Sequence, residues 1–285
     1  MKTLYANIED VMREAAARWT LVAYFFLSSV FILIFASAIN LDIVDGALAG
    51  AKLFGHQVTT RGDNSFPVDK LVVVFESGFS AVLYVLCTFL AVFATAHLVP
   101  RMQDKGTIDL YLSRPVSRTK LIVSRYLAGL ILAGSNVFYL LGSIWLIVIW
   151  KTHIVHPRFI AGGAVILFVI ASLLAFSFLI GVITSSTAVS IMTTYGLCLF
   201  SALLVGHERY AAAVSHDWQA AMINGLYWIV PKTTELGEAV FTLVSGNQMP
   251  ERMAAALSWS PFLTTGGFAV GCLVLACWMF QRKEF

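Results

Sequence analysis

The sequence predicts an all-α, polytopic integral membrane protein with six transmembrane helices, an N-terminal interfacial helix and a partly re-entrant outer segment before the last helix. Composition, the length of its apolar runs and the placement of its charges predict it. Of 285 residues, 59% are hydrophobic and only 12% charged, against roughly 25% charged in a soluble chain. The mean hydropathy is +0.81. Six apolar runs approach the ~20 residues that a helix needs to cross a ~30 Å hydrocarbon core. Lys and Arg concentrate on one side of those runs, which sets orientation.

The elements follow in order, as one transmembrane domain over residues 1–285. Residues 1–19 read as an interfacial helix: Leu4, Ile8, Val11, Met12, Ala15 and Trp19 recur at helical spacing, with Glu9, Asp10, Arg13 and Glu14 opposite. The spans are predicted at 20–39, 79–99, 127–150, 159–183, 188–205 and 262–280. The fourth and fifth are separated by the polar turn Thr184, Ser185, Ser186, Thr187. Residues 40–70 form a polar loop with several glycines. Residues 206–260 form a long, mixed outer segment. The acids before the first run, with no convincing small-residue cleavage site after it, argue against a cleavable signal. Cys87, Cys198, Cys272 and Cys277 all lie in apolar runs without metal or disulfide spacing. The net charge of +3 implies no nucleic-acid partner.

With the N-terminus inside, most of the 19 basic residues are cytoplasmic: Lys2, Arg13, Arg18, Arg101, Lys105, Arg114, Arg118, Lys120, Arg125, Arg282 and Lys283. Both termini then face the cytoplasm of a cell inner (cytoplasmic) membrane. The loop over 100–125 is the most informative segment. Gly106 breaks the preceding helix. Thr107 is placed to cap a short helix, and Asp109 sits at its dipole-favoured start. Ile108, Leu110, Tyr111 and Leu112 give it apolar surface. Pro115 stops it at Arg114, and Ser117 caps the helix of the third span. A short, stiff helix between two breakers and two spans is suited to carry a push from a soluble partner into the membrane. The simpler reading is a loop whose charges only fix topology.

This loop resembles the cytoplasmic loop of ABC-2 type transporter permeases. The likeness rests on Gly106-Thr107, the run Ile108 to Leu112, then Ser113-Arg114-Pro115-Val116-Ser117-Arg118, and Arg125-Tyr126-Leu127-Ala128-Gly129. It is specific over roughly 25 residues and architectural beyond them. The resemblance implies the transmembrane subunit of an ABC exporter. Two copies of a separate ABC ATPase would grip the short helix through Thr107, Ile108, Asp109, Leu110, Tyr111, Leu112, Arg114, Pro115 and Arg118. A second permease half, itself or a relative, would complete the pore. This chain would bind no cofactor and catalyse nothing, with ATP and Mg held by the partner. That division agrees with the absence of any Gly-x-x-x-x-Gly-Lys-Ser/Thr sequence.

Other residues are weighed as outer gate candidates. Glu76 precedes a run that is already long enough to cross, so it is expected at the outer boundary in water. Trp228 and Ile229 lie in an apolar stretch too short to span, expected to dip into the outer leaflet or line an exit, with Pro231 ending its helix. Gly267 and Gly271 offer a close-packing face, expected to serve packing within one subunit. Six histidines form no pair at matching depth, so no metal or haem site is predicted. The alternatives are an integral membrane enzyme or haem-binding membrane anchor, and a non-transporting regulatory membrane subunit. No sequence feature selects a substrate.

Overall fold

The computed structural model describes residues 9, 19–44, 47–53, 56–57, 68–103, 117–214, 216–246 and 258–283. Nearly all of the predicted interfacial helix lies outside them. So does the predicted short helix, with Thr107, Ile108, Asp109, Leu110, Tyr111, Leu112, Arg114 and Pro115.

The helices are α1 (Trp19–Ala38), α2 (Val68–Thr95), α3 (Arg118–Thr152), α4 (Pro157–Thr184), α5 (Thr187–Leu204), α6 (His207–Ala213), α7 (Asp217–Ile229), α8 (Thr233–Ser245) and α9 (Ser260–Arg282). Five stretches are long and apolar enough to cross a membrane: Phe75–Gln103, Arg118–Thr152, Pro157–Thr184, Thr187–Leu204 and Ser260–Arg282. The apolar stretch of α1, Leu21–Ser37, is shorter. These helices are apolar nearly all round, as expected where the surroundings are not water. Phe26, Leu33, Val85, Met192, Leu199 and Val270 all turn outward, each more than half exposed.

The polar segment after α1 is not all loop. It holds a small antiparallel sheet: β1 (Ile39–Val44), β2 (Ala47–Leu53) and β3 (His56–Gln57), in the order β1-β2-β3. Ile39 pairs with Leu53 and Val44 with Ala47. The all-helical expectation holds for the bundle, and this small sheet is an addition to it after α1.

Helix α4 is the hub, packed by α2, α3, α5, α8 and α9. Its own residues Ile166, Ile170, Leu173 and Phe178 are 0–1% exposed. Polar side chains bridge helices where no water competes. Ser28 donates to Asn136 Oδ1 at 3.0 Å, joining α1 to α3, and Tyr126 donates to the Ala171 carbonyl at 3.0 Å, joining α3 to α4. The α4–α5 turn needs one left-handed residue, Ser185 (φ 53°), whose N–H bonds the Gly181 carbonyl at 3.0 Å. Ser117 does precede α3, but its hydroxyl makes no capping bond. The Cβ positions of Gly267 and Gly271 meet nothing within 4 Å. The expected packing of that face within one subunit is therefore not made by the described residues.

Candidate functional site

Two regions of the bundle gather the chemistry. The first is the end carrying both flanks of the 104–116 loop. After α2 the chain turns through residues 96–99 into a 3-10 turn, Pro100–Gln103. Pro100 lies against Gly181, 3.1 Å from where a Cβ would stand, so a larger residue at 181 would have to push Pro100 back by a few tenths of an ångström. Leu98, Val99 and Met102 are buried with Leu121, Ile122, Phe178 and Phe280, which seals this end with an apolar plug.

Around the plug runs a polar latch. Lys283 Nζ donates to Gln103 Oε1 (2.6 Å), the Val182 carbonyl (2.7 Å) and Ser185 Oγ (2.7 Å). Gln103 Nε2 donates to the Gly181 carbonyl at 2.8 Å, and Ser185 Oγ donates to Gln103 Oε1 at 2.9 Å. Desolvation by burial pulls the Lys283 ammonium below the ordinary lysine value. On the other flank, Arg118 Nη1 donates to the carbonyls of Phe280 (3.4 Å), Gln281 (3.2 Å) and Lys283 (2.7 Å). These are acceptors that a helix C-terminus leaves without intrahelical partners, and a cation is favoured there by the helix dipole. Gln281 adds a bond to Thr119 Oγ1 at 2.6 Å. Arg125, 1% exposed, donates to the Leu98 carbonyl at 2.9 Å. The residues before and after the loop are thus tied to the α4–α5 turn and to the last turn of α9. Among the predicted coupling residues, Arg118 is described, and its guanidinium is turned to the chain's own carbonyls.

The second region is a helical hairpin, α7 and α8. Helix α7 ends at Ile229 and the turn Val230, Pro231, Lys232 leads into α8, with Val230, Lys232 and Thr233 5–8% exposed. The bundle holds this apex from three sides. Ser201 of α5 donates to the Pro231 carbonyl (2.7 Å) and accepts from Thr233 N–H (3.1 Å). Thr265 of α9 accepts from Lys232 N–H at 3.1 Å. Tyr84 of α2 donates to the Thr233 carbonyl. Trp228 and Ile229, by contrast, are 59% and 67% exposed. The outer gate candidates therefore divide: Pro231 is a buried anchor, while Trp228 and Ile229 face away from the bundle.

Beside α8 lies a cleft of about 820 Å³ between α2, α5, α8 and the start of α9. Tyr84, Val85, Phe89, Tyr195 and Phe241 give it apolar and aromatic walls, and Glu235 and Glu238 line it from α8. Tyr195 donates to the Phe89 carbonyl at 2.7 Å, and the two rings stack at 4.8 Å, pinning the wall. Tyr227 donates to Glu235 Oε1 at 2.6 Å. Lys232 Nζ sits 3.9 Å from the Tyr227 ring centroid and 4.6 Å from that of Trp228.

Glu76 is not at a watery boundary. Helix α2 begins at Val68, well before the predicted 79, and Glu76 is 2% exposed on that helix, next to Phe75 in the chain and one turn after Val72. Neither carboxylate oxygen has a hydrogen-bond partner; His156 Nδ1 lies 3.5 Å from Oε2. No group of three or more His, Cys, Asp or Glu that could hold a metal ion occurs among the described residues.

Sequence reasoning missed Gln103, Lys283, Ser201, Thr265 and the cleft. The Pro231-Lys232 pair after an apolar stretch was a usable signal for the hairpin apex; nothing local marks Gln103. Among known proteins, a family model described as ABC-2 family transporter protein matches residues 7–285. No curated protein matches the chain.

Proposed function

The chain belongs to the ABC-2 family of transporter proteins, and from that premise we propose that it is the transmembrane half of an ATP-driven exporter whose ATPase is a separate subunit. As a multi-pass permease component it performs the membrane part of transport rather than catalysis. In the proposed assembly two permease halves meet two ATPase subunits, which hold ATP and Mg. The chain crosses the cytoplasmic membrane six times, α1 being the first span, with both termini and the 104–116 loop cytoplasmic and the α7–α8 hairpin outside. Ile108 to Arg114 form the contact with the ATPase.

The observation that carries this reading is the latch. A loop that served only as a topology signal would need no fixed flanks. Here Gln103 on one flank and Arg118 on the other are each bonded to the bundle, through Lys283, Gly181, Ser185 and the last carbonyls of α9. Force on the loop would pass into α4, α5 and α9 without slack.

The test is co-purification of the partner ATPase with permease variants, alongside their membrane abundance. Tyr111→Ala removes an apolar anchor, and such truncations cost ~2 kcal/mol or more, roughly a thirtyfold loss of affinity. Arg114→Glu should lose the ATPase to a similar degree. Both variants should insert, because many basic residues remain inside. If both reach the membrane and retain the ATPase at wild-type levels, the loop only fixes topology. Impermeant thiol labelling of single cysteines at positions 105 and 283 (inside) and 61 (outside) tests the orientation independently.

A further inference from the structure

We propose that the cleft between α2, α5 and α8 binds an amphipathic cation, a molecule with an apolar body and one ammonium-type group. This deepens the exporter reading, on which it rests only for what the bound molecule does next.

Size and lining come first. A cavity of about 820 Å³ falls in the range of sites that enclose whole small molecules, ~300–1,000 Å³. Val85, Phe89, Tyr195 and Phe241 offer an apolar body a continuous wall, and aromatic faces also attract cations. The charge is one-sided. Glu235 and Glu238 line the cleft, and among the described residues no Lys, Arg or His does. Lys232 lies outside the lining with its ammonium over the Tyr227 and Trp228 rings, yet it acts electrostatically on Glu235, which Tyr227 also holds; the charge left for a ligand is chiefly that of Glu238. The start of α8 would by itself favour an anion. Glu235, in its first turn, already occupies that end.

A neutral lipid tail would use the walls and leave the Glu238 carboxylate, exposed on the cleft, without a partner of opposite charge.

The experiment uses the full-length permease in nanodiscs of zwitterionic lipid, without the ATPase. Ethidium is the cationic probe and N-phenyl-1-naphthylamine the neutral one, each titrated by fluorescence. Ala81→Trp, which fills the cleft from an exposed position on α2, supplies the lipid background. Saturable ethidium binding is expected, weakened about five- to tenfold by Glu238→Gln and by Glu235→Gln, and abolished by Ala81→Trp. Glu235 also holds Tyr227, so the exposed Glu238 is the variant that keeps the test sound if Glu235→Gln fails to fold. Ethidium binding equal in wild type and Glu238→Gln would overturn the proposal. So would equal weakening of both probes, or saturable binding of the neutral probe alone, which would make the cleft a site for uncharged apolar molecules. ATPase co-purification is untouched by these outcomes, so a failed cation site and a failed exporter reading are told apart.

Discussion

The latch predicts a measurable coupling between two residues 180 positions apart in the chain, Gln103 and Lys283. Single substitutions are poor probes of it. Lys283→Met removes three hydrogen bonds, but it also removes an ammonium whose desolvation is unfavourable, and replacing a desolvated charge with an apolar group is often neutral. A double-mutant cycle with Gln103→Leu cancels the desolvation and isolates the pair. A hydrogen bond to a charged group contributes about 1.5–3 kcal/mol when well shielded, and an exposed ion pair ~0.2–1 kcal/mol. Lys283 is half-buried and its Nζ lies 2.6 Å from Gln103 Oε1, so the pair should be coupled by ~1 kcal/mol. Thermal unfolding of purified wild type, both single variants and the double variant reads this as a non-additive shift of about 2–4 °C. Distant, independent sites add within ~0.3–0.5 kcal/mol. Additivity inside that band would refute the latch, and with it the claim that the loop's first flank is fixed to the end of α9.

Three further outcomes follow from the geometry. Because desolvation holds the Lys283 ammonium below its ordinary value, the unfolded chain binds more protons than the native one in the alkaline interval between the two values; the stability of wild type relative to Lys283→Met should rise with pH through that interval, as thermal unfolding at stepped pH would show. Trp228→Ser with Ile229→Ser should leave the permease folded, since both side chains are mostly exposed, and should depress transport while ATPase binding stays; loss of the whole complex would make this stretch a folding element. His156→Ala should cost more thermal stability than Glu76→Gln, because it strips the imidazole that faces a buried carboxylate, whereas the amide keeps the shape and removes the charge.

How far the sequence carried depended on what fixed each element. Bilayer thickness dictates run length and composition, so the apolar runs could be read directly. The start of α2 could not, because Asp69, Lys70 and Glu76 interrupt the apolar run while backbone bonding continues through them from Val68. The hairpin of β1 and β2 had a signal that went unread: Asp45-Gly46 stands between the paired Val44 and Ala47, the residue pair that suits a two-residue turn. The cleft and the latch were illegible for a different reason. They depend on residues far apart in sequence, such as Ser201 with Pro231 or Gln103 with Lys283, and no local pattern encodes such meetings. Arg118 shows the limit of motif reading: the loop pattern singled it out, but not that its guanidinium would turn to the carbonyls of α9.

The two regions are joined by one helix. The last turn of α9 receives Arg118, and Lys283 just beyond it holds Gln103 and the α4–α5 turn. Near its other end, Thr265 holds the hairpin apex through Lys232 N–H. Residues 265 and 282 are about 26 Å apart along a helix rising 1.5 Å per residue, so α9 reaches most of the way across a bilayer core. A rigid helix fastened at both ends transmits displacement, whereas one fastened at a single end does not. Thr265→Val keeps the shape and removes the acceptor, leaving a buried N–H without its partner at a cost of about 1–3 kcal/mol. If α9 is the link, this variant should retain the ATPase and its basal hydrolysis but lose the stimulation of transport by ATP, because the loop would still be gripped while the apex no longer followed. Coupling measured as transport per ATP hydrolysed in reconstituted vesicles decides it. A variant that loses stability by that amount yet keeps the wild-type ratio would mean that Thr265 only holds the fold, and that motion reaches the hairpin through Ser201 on α5 instead.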